Sequence, residues 1–160
     1  MEEILSSGTM SAAEVLANYS PLALAYLGDA VYELEIREFL LRQGNASPKS
    51  LNDRAAYFAM ARTQALLTDI LAPHLTEAEA DVLHRGRNAS PNTVAKHATT
   101  ADYHKATGLE ALVGYLHLSG QHERVRELMD LARKEVGTAV SRGKGVVSET
   151  AAGGESEDGE

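Results

Sequence analysis

The longest mostly apolar stretch runs from Leu22 to Leu41, and its spacing predicts an α-helix with hydrophobic side chains on nearly every side. Ser20 and Pro21 give a start signal, because the serine hydroxyl can cap a first-turn N–H and proline lacks the N–H that would stay unpaired there. One stripe carries Leu24, Leu27, Val31, Leu34 and Leu41, and roughly the opposite one carries Leu22, Tyr26, Asp29, Glu33, Ile36 and Leu40. We therefore expect Asp29 among apolar neighbours, where an ionised carboxylate is costly unless it is paired.

The other helices follow from the same periodicity and from start and stop residues. They are predicted at about residues 10–18, from Ser47-Pro48 to Leu71, from Glu77 to about Arg87 after the capping-box pair Thr76 and Glu79, from about Ala101 to Gly120, and from Glu123 to about Val136. No strand pattern of comparable strength is present, so the predicted fold class is all-α. Residues 1–136 are expected to form one domain, and residues 137–160, rich in glycine, serine and acids, a disordered acidic tail.

Composition limits the class of protein. With 160 residues and 44% apolar content, the chain can bury one genuine core. It has no cysteine, which excludes a disulfide framework and a thiolate metal site and favours a reducing compartment. We find no signal-peptide pattern and no long apolar run, so we expect a cytoplasmic protein that is neither secreted nor membrane-spanning.

A formal net charge of −8 argues at first against a nucleic-acid partner, but the charge is uneven. Between His84 and Lys105 the only acid is Asp102. The same segment carries four bases and half of the histidines: Arg85, Arg87, Lys96, Lys105, His84, His97 and His104. This is the densest net-positive part of the sequence.

Two carboxylates lie in mostly apolar helices beside glycine: Asp29 and Glu110. Oxygen ligands from two helices are what Mg²⁺ needs, since it usually takes one or two protein carboxylates and keeps waters and substrate phosphate for its other positions. Structural roles are the alternative, because Glu110 follows Thr107 at the capping-box distance and Asp29 could pair with an arginine such as Arg62. Spacing alone leaves both interpretations open.

Three segments of the chain, taken in order, resemble the ribonuclease III catalytic domain. Leu27-Gly-Asp-Ala-Val31 and Leu109-Glu-Ala-Leu-Val-Gly-Tyr-Leu116 resemble its two signature helices. Together with Arg85-Gly-Arg-Asn-Ala89 and the residues that precede each signature, they are most similar to the short bacterial branch, Mini-ribonuclease III, over about residues 12–134.

The resemblance implies an all-helical, two-fold homodimeric endonuclease that needs Mg²⁺ and cuts double-stranded RNA, in this branch precursor 23S ribosomal RNA. Asp29 and Glu110 take the positions of the metal-binding and catalytic acids. Two further acids of the longer enzymes are replaced by Ala25 and Thr107, so we expect one firmly held Mg²⁺ per site, with any second ion depending on RNA.

The resemblance also implies that RNA is bound by the catalytic body itself, because we expect no separate double-stranded-RNA-binding domain. Duplex RNA is recognised through phosphates and 2′-hydroxyls across its shallow minor groove. The best candidates for these contacts are Arg85, Arg87, Asn88, Lys96 and His97, around a predicted loop from Asn88 to Thr100; the alternative for this loop is a solvated surface turn. A large-subunit ribosomal protein that presents the RNA is a candidate further partner.

Two other functions remain open at this stage. The replacement of acids by Ala25 and Thr107 also fits a catalytically inactive domain that serves as an RNA-binding or ribosome-assembly factor. A purely structural helical adaptor has only the acidic surface in its favour.

Overall fold

A computed structural model describes residues 8–91 and 99–150, with side chains described as far as Val136. Seven α-helices and one 3₁₀ turn make up the described part: α1 (Ala12–Asn18), α2 (Pro21–Arg42), α3 (Pro48–Ala59), α4 (Ala61–Leu71), the 3₁₀ turn (Ala72–His74), α5 (Glu77–Ala89), α6 (Thr100–Leu118) and α7 (His122–Thr150). Strands are absent from these residues, so the predicted all-α class is confirmed for the described ranges. None of the described helices is both long enough and apolar enough to cross a membrane.

The helix starts are set by capping side chains. Ser11, Ser20, Ser47 and Thr99 each accept a hydrogen bond from a backbone N–H in the first turn of the helix that follows. Pro21 and Pro48 occupy first helical positions, as the sequence predicts.

The central helix of the domain is α6, packed against α2, α4, α5, α7 and α1. Every residue from Ala106 to Leu116 is buried except Glu110, which is half-buried. Helix α7 adds the predicted stripe to this core: Val125, Leu128, Met129, Ala132 and Val136. Glu110 is therefore the single acid on the most buried stretch of the fold.

Both predicted stripes of α2 contribute residues to the core. Leu24 and Val31 are buried, but Leu34 and Leu41 are 61% and 55% exposed. Ile36 and Leu40, on the opposite stripe, are buried as well. Because α2 is apolar on nearly all sides, its periodicity could not show which face meets the core.

The predicted single helix from Ser47 to Leu71 is two helices. Met60 has extended backbone angles and serves at once as the last cap of α3 and the first cap of α4. The Tyr32 hydroxyl donates to the backbone carbonyl of Phe58 over 2.5 Å and so ties this corner to α2.

The last helix continues beyond its predicted end near Val136, to Thr150. The remaining ten residues of the predicted acidic tail, 151–160, lie outside the described residues. The division into a domain and a disordered tail therefore stays a prediction.

Helices α2 and α6 cross with their backbones in contact. A Cβ built on Gly28 would lie 1.7 Å from the carbonyl oxygen of Glu110, and one built on Gly114 would lie 1.9 Å from that of Leu24. Only glycine at both positions permits so close an approach. The crossing puts Asp29, the neighbour of Gly28, beside the turn of α6 that carries Glu110.

Candidate active site

The α2–α6 crossing brings the two predicted acids close enough to interact. Burial, and after it the negative charge of Asp29, raises the pKa of Glu110 from its ordinary 4.5 to about 7. A hydrogen bond from Gln64 acts in the opposite direction, because it favours the ionised carboxylate. The charge of an acid on α2 therefore influences the ionisation of an acid on α6.

The structure corrects the expected surroundings of Asp29. Its side chain is exposed rather than enclosed by apolar neighbours, and the half-buried member of the pair is Glu110. Asp29 faces an open cleft of about 270 Å³ between α2, α3 and the start of α4. The cleft is lined by Asp29, Tyr32, Glu33, Ile36, Arg37, Asn52, Ala55, Ala56, Phe58, Ala59 and Gln64.

Neither structural alternative for the two acids is found. Within the described ranges, Asp29 forms no ion pair with Arg62 or with any other base. Glu110 does not cap a helix, because α6 begins at Thr100, and its cap is Thr99. Thr107 lies inside α6, where its hydroxyl donates to the carbonyl of Tyr103.

The donor chemistry fits a hard divalent cation. Asp29 and Glu110 offer carboxylate oxygens from two helices, and a cation between them would offset both the burial of Glu110 and its repulsion from Asp29. The described residues contain no cluster of three or more histidine or acidic side chains suited to a metal. Ala25 and Thr107, where the resemblance to longer enzymes leads one to expect two further acids, are both buried neutral residues.

Of the predicted RNA-binding residues, Arg85, Arg87 and Asn88 are exposed on the last turns of α5. Arg85 pairs with Asp81 over 3.0 Å, and the amide of Asn88 lies 3.1 Å from the His84 ring nitrogen Nε2. Lys96 and His97 lie outside the described residues.

The end of α5 packs on the same stretch of α6 that carries Glu110. A Cβ built on Gly108 would lie 3.4 Å from the Cβ of Arg87, and one built on Gly86 would lie 2.5 Å from that of Ala111. Two further links hold the chain after α5 on α6: the Ser90 hydroxyl lies 3.1 Å from that of Thr107, and His104 Nε2 lies 3.3 Å from the Pro91 carbonyl oxygen. The structure therefore brings Arg87 close to the α6 segment of Glu110.

Sequence reasoning missed Gln64, the residue that links the cleft to Glu110. Gln64 lies on α4 and is only 4% exposed, and its Nε2 donates to Glu110 Oε1 over 3.3 Å. A partial signal was available, since Gln64 shares a helical face with Leu67 and Leu71, but Thr68 is a second buried polar residue of the same face.

The family model and the named relatives point to one family. The family model described as the ribonuclease III domain matches residues 22–121. The proteins named Mini-ribonuclease 3 from Symbiobacterium thermophilum and Enterococcus faecalis are 48% and 45% identical to this chain, over 70% and 72% of its length and 86% and 89% of theirs. The crystal structure of protein FN1578 from Fusobacterium nucleatum is similar with a TM-score of 0.69 and 30% identity, covering 76% of this chain and 97% of that one.

Proposed function

Because this chain belongs to the ribonuclease III family and is an endoribonuclease, we propose that it cuts double-stranded RNA in a Mg²⁺-dependent reaction at Asp29 and Glu110. The observation that carries this proposal is the convergence of the two acids at the α2–α6 crossing, where burial and the charge of Asp29 raise the pKa of Glu110. A site of this kind favours a bound cation, because a cation relieves the repulsion that the fold imposes.

The two acids have different surroundings, and we propose different roles for them. Glu110, half-buried and hydrogen-bonded to Gln64, is the metal ligand whose position is fixed. Asp29, which lines the cleft, is the metal ligand that lies nearer to bound RNA. When bound, the cation would activate a water and stabilise charge on the phosphodiester during in-line displacement. Arg87 and its neighbours on α5 would bind backbone phosphates and so orient the duplex.

The test of this site is Asp29→Asn, which keeps the shape of the side chain and removes its charge. We expect Mg²⁺-dependent cleavage of a perfect RNA duplex to be abolished, while the circular dichroism spectrum and the oligomeric state stay unchanged. Asp53→Asn is the matched control, because Asp53 is an exposed aspartate whose one ion pair among the described residues is with Lys49 on its own helix. Cleavage by Asp29→Asn at the rate of the unaltered protein would refute the assignment.

We also propose that the chain works as a two-fold homodimer. Four large apolar side chains of α2 are exposed in the single chain: Leu22, Tyr26, Leu34 and Leu41, with Tyr26 86% exposed. Leu22 and Tyr26 lie on the same stripe of α2 as Asp29, so a second copy packed there would set two sites about a shared axis. A two-fold axis matches the symmetry of a duplex, and each site would then cut one strand.

The dimer proposal is tested with Tyr26→Glu, which puts a charge in the centre of this exposed face. Analytical ultracentrifugation should show a dimer for the unaltered chain and a monomer for the variant. Leu66→Glu is the control, since Leu66 is 40% exposed on α4 and should tolerate the charge without loss of the dimer. A Tyr26→Glu variant that stays dimeric would contradict the proposed interface.

The proposed substrate is precursor 23S ribosomal RNA, on the resemblance to Mini-ribonuclease III, with a large-subunit ribosomal protein as a candidate partner that presents it. Incubation of the chain with a structured precursor stem, followed by mapping of the product ends, is the test. Defined cuts in the stem would support the proposal, and an intact stem beside a cleaved generic duplex would overturn this choice of substrate.

A catalytically inactive RNA-binding or ribosome-assembly factor is the second candidate. Its support is that buried, neutral Ala25 and Thr107 leave the pair without further carboxylates. Binding to duplex RNA without any cuts, across a range of Mg²⁺ concentrations, would favour this function over the first.

A further inference from the structure

Gln64 is buried, and among the described residues its side-chain amide forms one hydrogen bond, to Glu110. A carboxylate has only acceptor atoms when it is ionised, so the amide nitrogen of Gln64 must face Glu110, as it does over 3.3 Å. No other hydrogen bond to this carboxylate is formed among the described side chains. Gln64 therefore holds one oxygen of Glu110 and leaves the other for a ligand.

The position of Gln64 is fixed from both sides. The break at Met60 starts α4 afresh, and the Tyr32 hydroxyl holds the preceding corner on α2 through the Phe58 carbonyl. One turn after Gln64, the Thr68 hydroxyl lies within hydrogen-bond distance of both the Gln64 and the Lys105 carbonyl oxygens. Two contacts thus confine the amide between α2 and α6.

A third contact sets the register of α4 on α6. Lys105 Nζ contacts both carboxylate oxygens of Asp69, at 2.8 and 3.0 Å. Asp69 lies five residues after Gln64, and Lys105 lies five residues before Glu110. Because this pair and the Gln64–Glu110 pair join the same two helices, α4 is kept from sliding along α6.

An amide is the side chain that suits this position. A lysine would neutralise Glu110 and compete with a cation, and an apolar residue would leave a half-buried carboxylate without a donor. Glutamine donates without carrying charge, so it can hold the carboxylate ionised and in place while the negative charge stays available to a metal.

We propose that Gln64 is a positioning residue of the active site, which orients the Glu110 carboxylate toward a divalent cation without binding the cation itself. This inference rests on the proposed function, because it assigns a role toward the metal that Asp29 and Glu110 would hold. It adds a third helix, α4, to a site that the sequence places on α2 and α6.

The test uses Gln64→Met, which keeps the length of the side chain and removes both donors. Partners that orient metal ligands typically change metal affinity or activity about 10- to 100-fold. We therefore expect Mg²⁺ affinity, measured by isothermal titration calorimetry on the RNA-free protein, to fall about 10-fold or more, and kcat to fall at fixed Mg²⁺ with KM for RNA unchanged. Gln121→Met is the matched control, since Gln121 donates to Ser119 at the α6–α7 turn.

A double-mutant cycle separates positioning from a general loss of stability. In a Glu110→Ala background there is no carboxylate left to orient, so Gln64→Met should lower Mg²⁺ affinity no further. Gln64→Asn is the second variant if the methionine chain fails to fold, because it keeps a buried amide that is one methylene too short to reach Glu110. It should show the same loss of Mg²⁺ affinity.

Two results would overturn the inference while leaving the proposed function intact. The first is unchanged Mg²⁺ affinity and kcat in a folded Gln64 variant, and the second is a change confined to stability or to KM. If the unaltered chain neither binds Mg²⁺ nor cuts duplex RNA, that result refutes the proposed function, and the role of Gln64, which depends on it, is refuted as well.

Discussion

Replacing Glu110 by glutamine should stabilise the metal-free protein at neutral and alkaline pH, although it should abolish cleavage. The substitution keeps the shape of the side chain, and the new amide oxygen can still accept the hydrogen bond from Gln64. What it removes is a negative charge that the fold keeps half-buried and beside Asp29. Active-site groups that serve function at the expense of stability behave in this way.

The size and sign of the effect follow from the raised pKa of Glu110. Between 4.5 in the unfolded chain and about 7 in the folded one, the free-energy cost of ionisation reaches at most about 3 kcal/mol. Partial exposure screens this cost, so we expect Glu110→Gln to raise the free energy of unfolding by about 2 kcal/mol above pH 7. Below about pH 4.5 the carboxyl group is protonated in both states, so the gain should vanish there.

Urea unfolding in EDTA, at fixed protein concentration and at several values between pH 4.5 and 8, measures this effect. At pH 8 the variant should have a higher midpoint urea concentration. In thermal unfolding under the same conditions, its Tm should rise by about 4–8 °C. Glu127→Gln is the control, because the Glu127 side chain is 70% exposed and its neutralisation should change the free energy of unfolding by less than about 0.5 kcal/mol. An equal gain at pH 4.5 and pH 8, or a loss at pH 8, would refute the argument from burial and repulsion.

Three further substitutions test the packing around the site by urea unfolding. Gly28→Ala should cost about 3 kcal/mol or more and abolish cleavage, because the added Cβ would lie 1.7 Å from the Glu110 carbonyl oxygen; an unchanged midpoint would contradict the backbone contact. Glu79→Ala should cost about 3 kcal/mol, since it leaves Arg124 without the buried carboxylate that it contacts at 2.9 Å; a cost below 1 kcal/mol, measured against exposed Asp53→Ala, would show that the pair is replaceable. Tyr32→Phe should cost about 1 kcal/mol through loss of its hydrogen bond to Phe58, and a stabilised variant would be the opposite result.

Much of the fold could be predicted from local signals in the sequence. Ser20 with Pro21 and Ser47 with Pro48 mark helix starts that the structure has at the same residues. The break at Met60 could not be predicted, because neither glycine nor proline marks it. The exposed side of α2 was equally hidden, since a helix that is apolar on all sides gives no preferred direction for its core face.

The candidate site was predictable to the extent that its residues lie in motifs. Asp29 and Glu110 stand out as isolated acids in apolar helices, whereas Gln64 lies 46 positions before Glu110 in a helix with no motif of its own. Which acid is buried could not be read either, because burial depends on the angle at which α2 crosses α6. The sequence indicated Asp29 as the enclosed acid, and the structure has Glu110 in that place.

The glycines of the two signature segments explain why the acids converge at all. Gly28 is adjacent to Asp29, and Gly114 lies one turn after Glu110, so each acid is next to a point where the two backbones touch. The axes of ordinary packed helices lie about 8–10 Å apart, depending on the side chains between them. Glycine at the two contacts lets the axes of α2 and α6 come closer together, and the contacts are made by backbone atoms, which cannot change rotamer. The spacing of the acids is thus set by helix packing, which links the stability of the α2–α6 crossing directly to the geometry of the site.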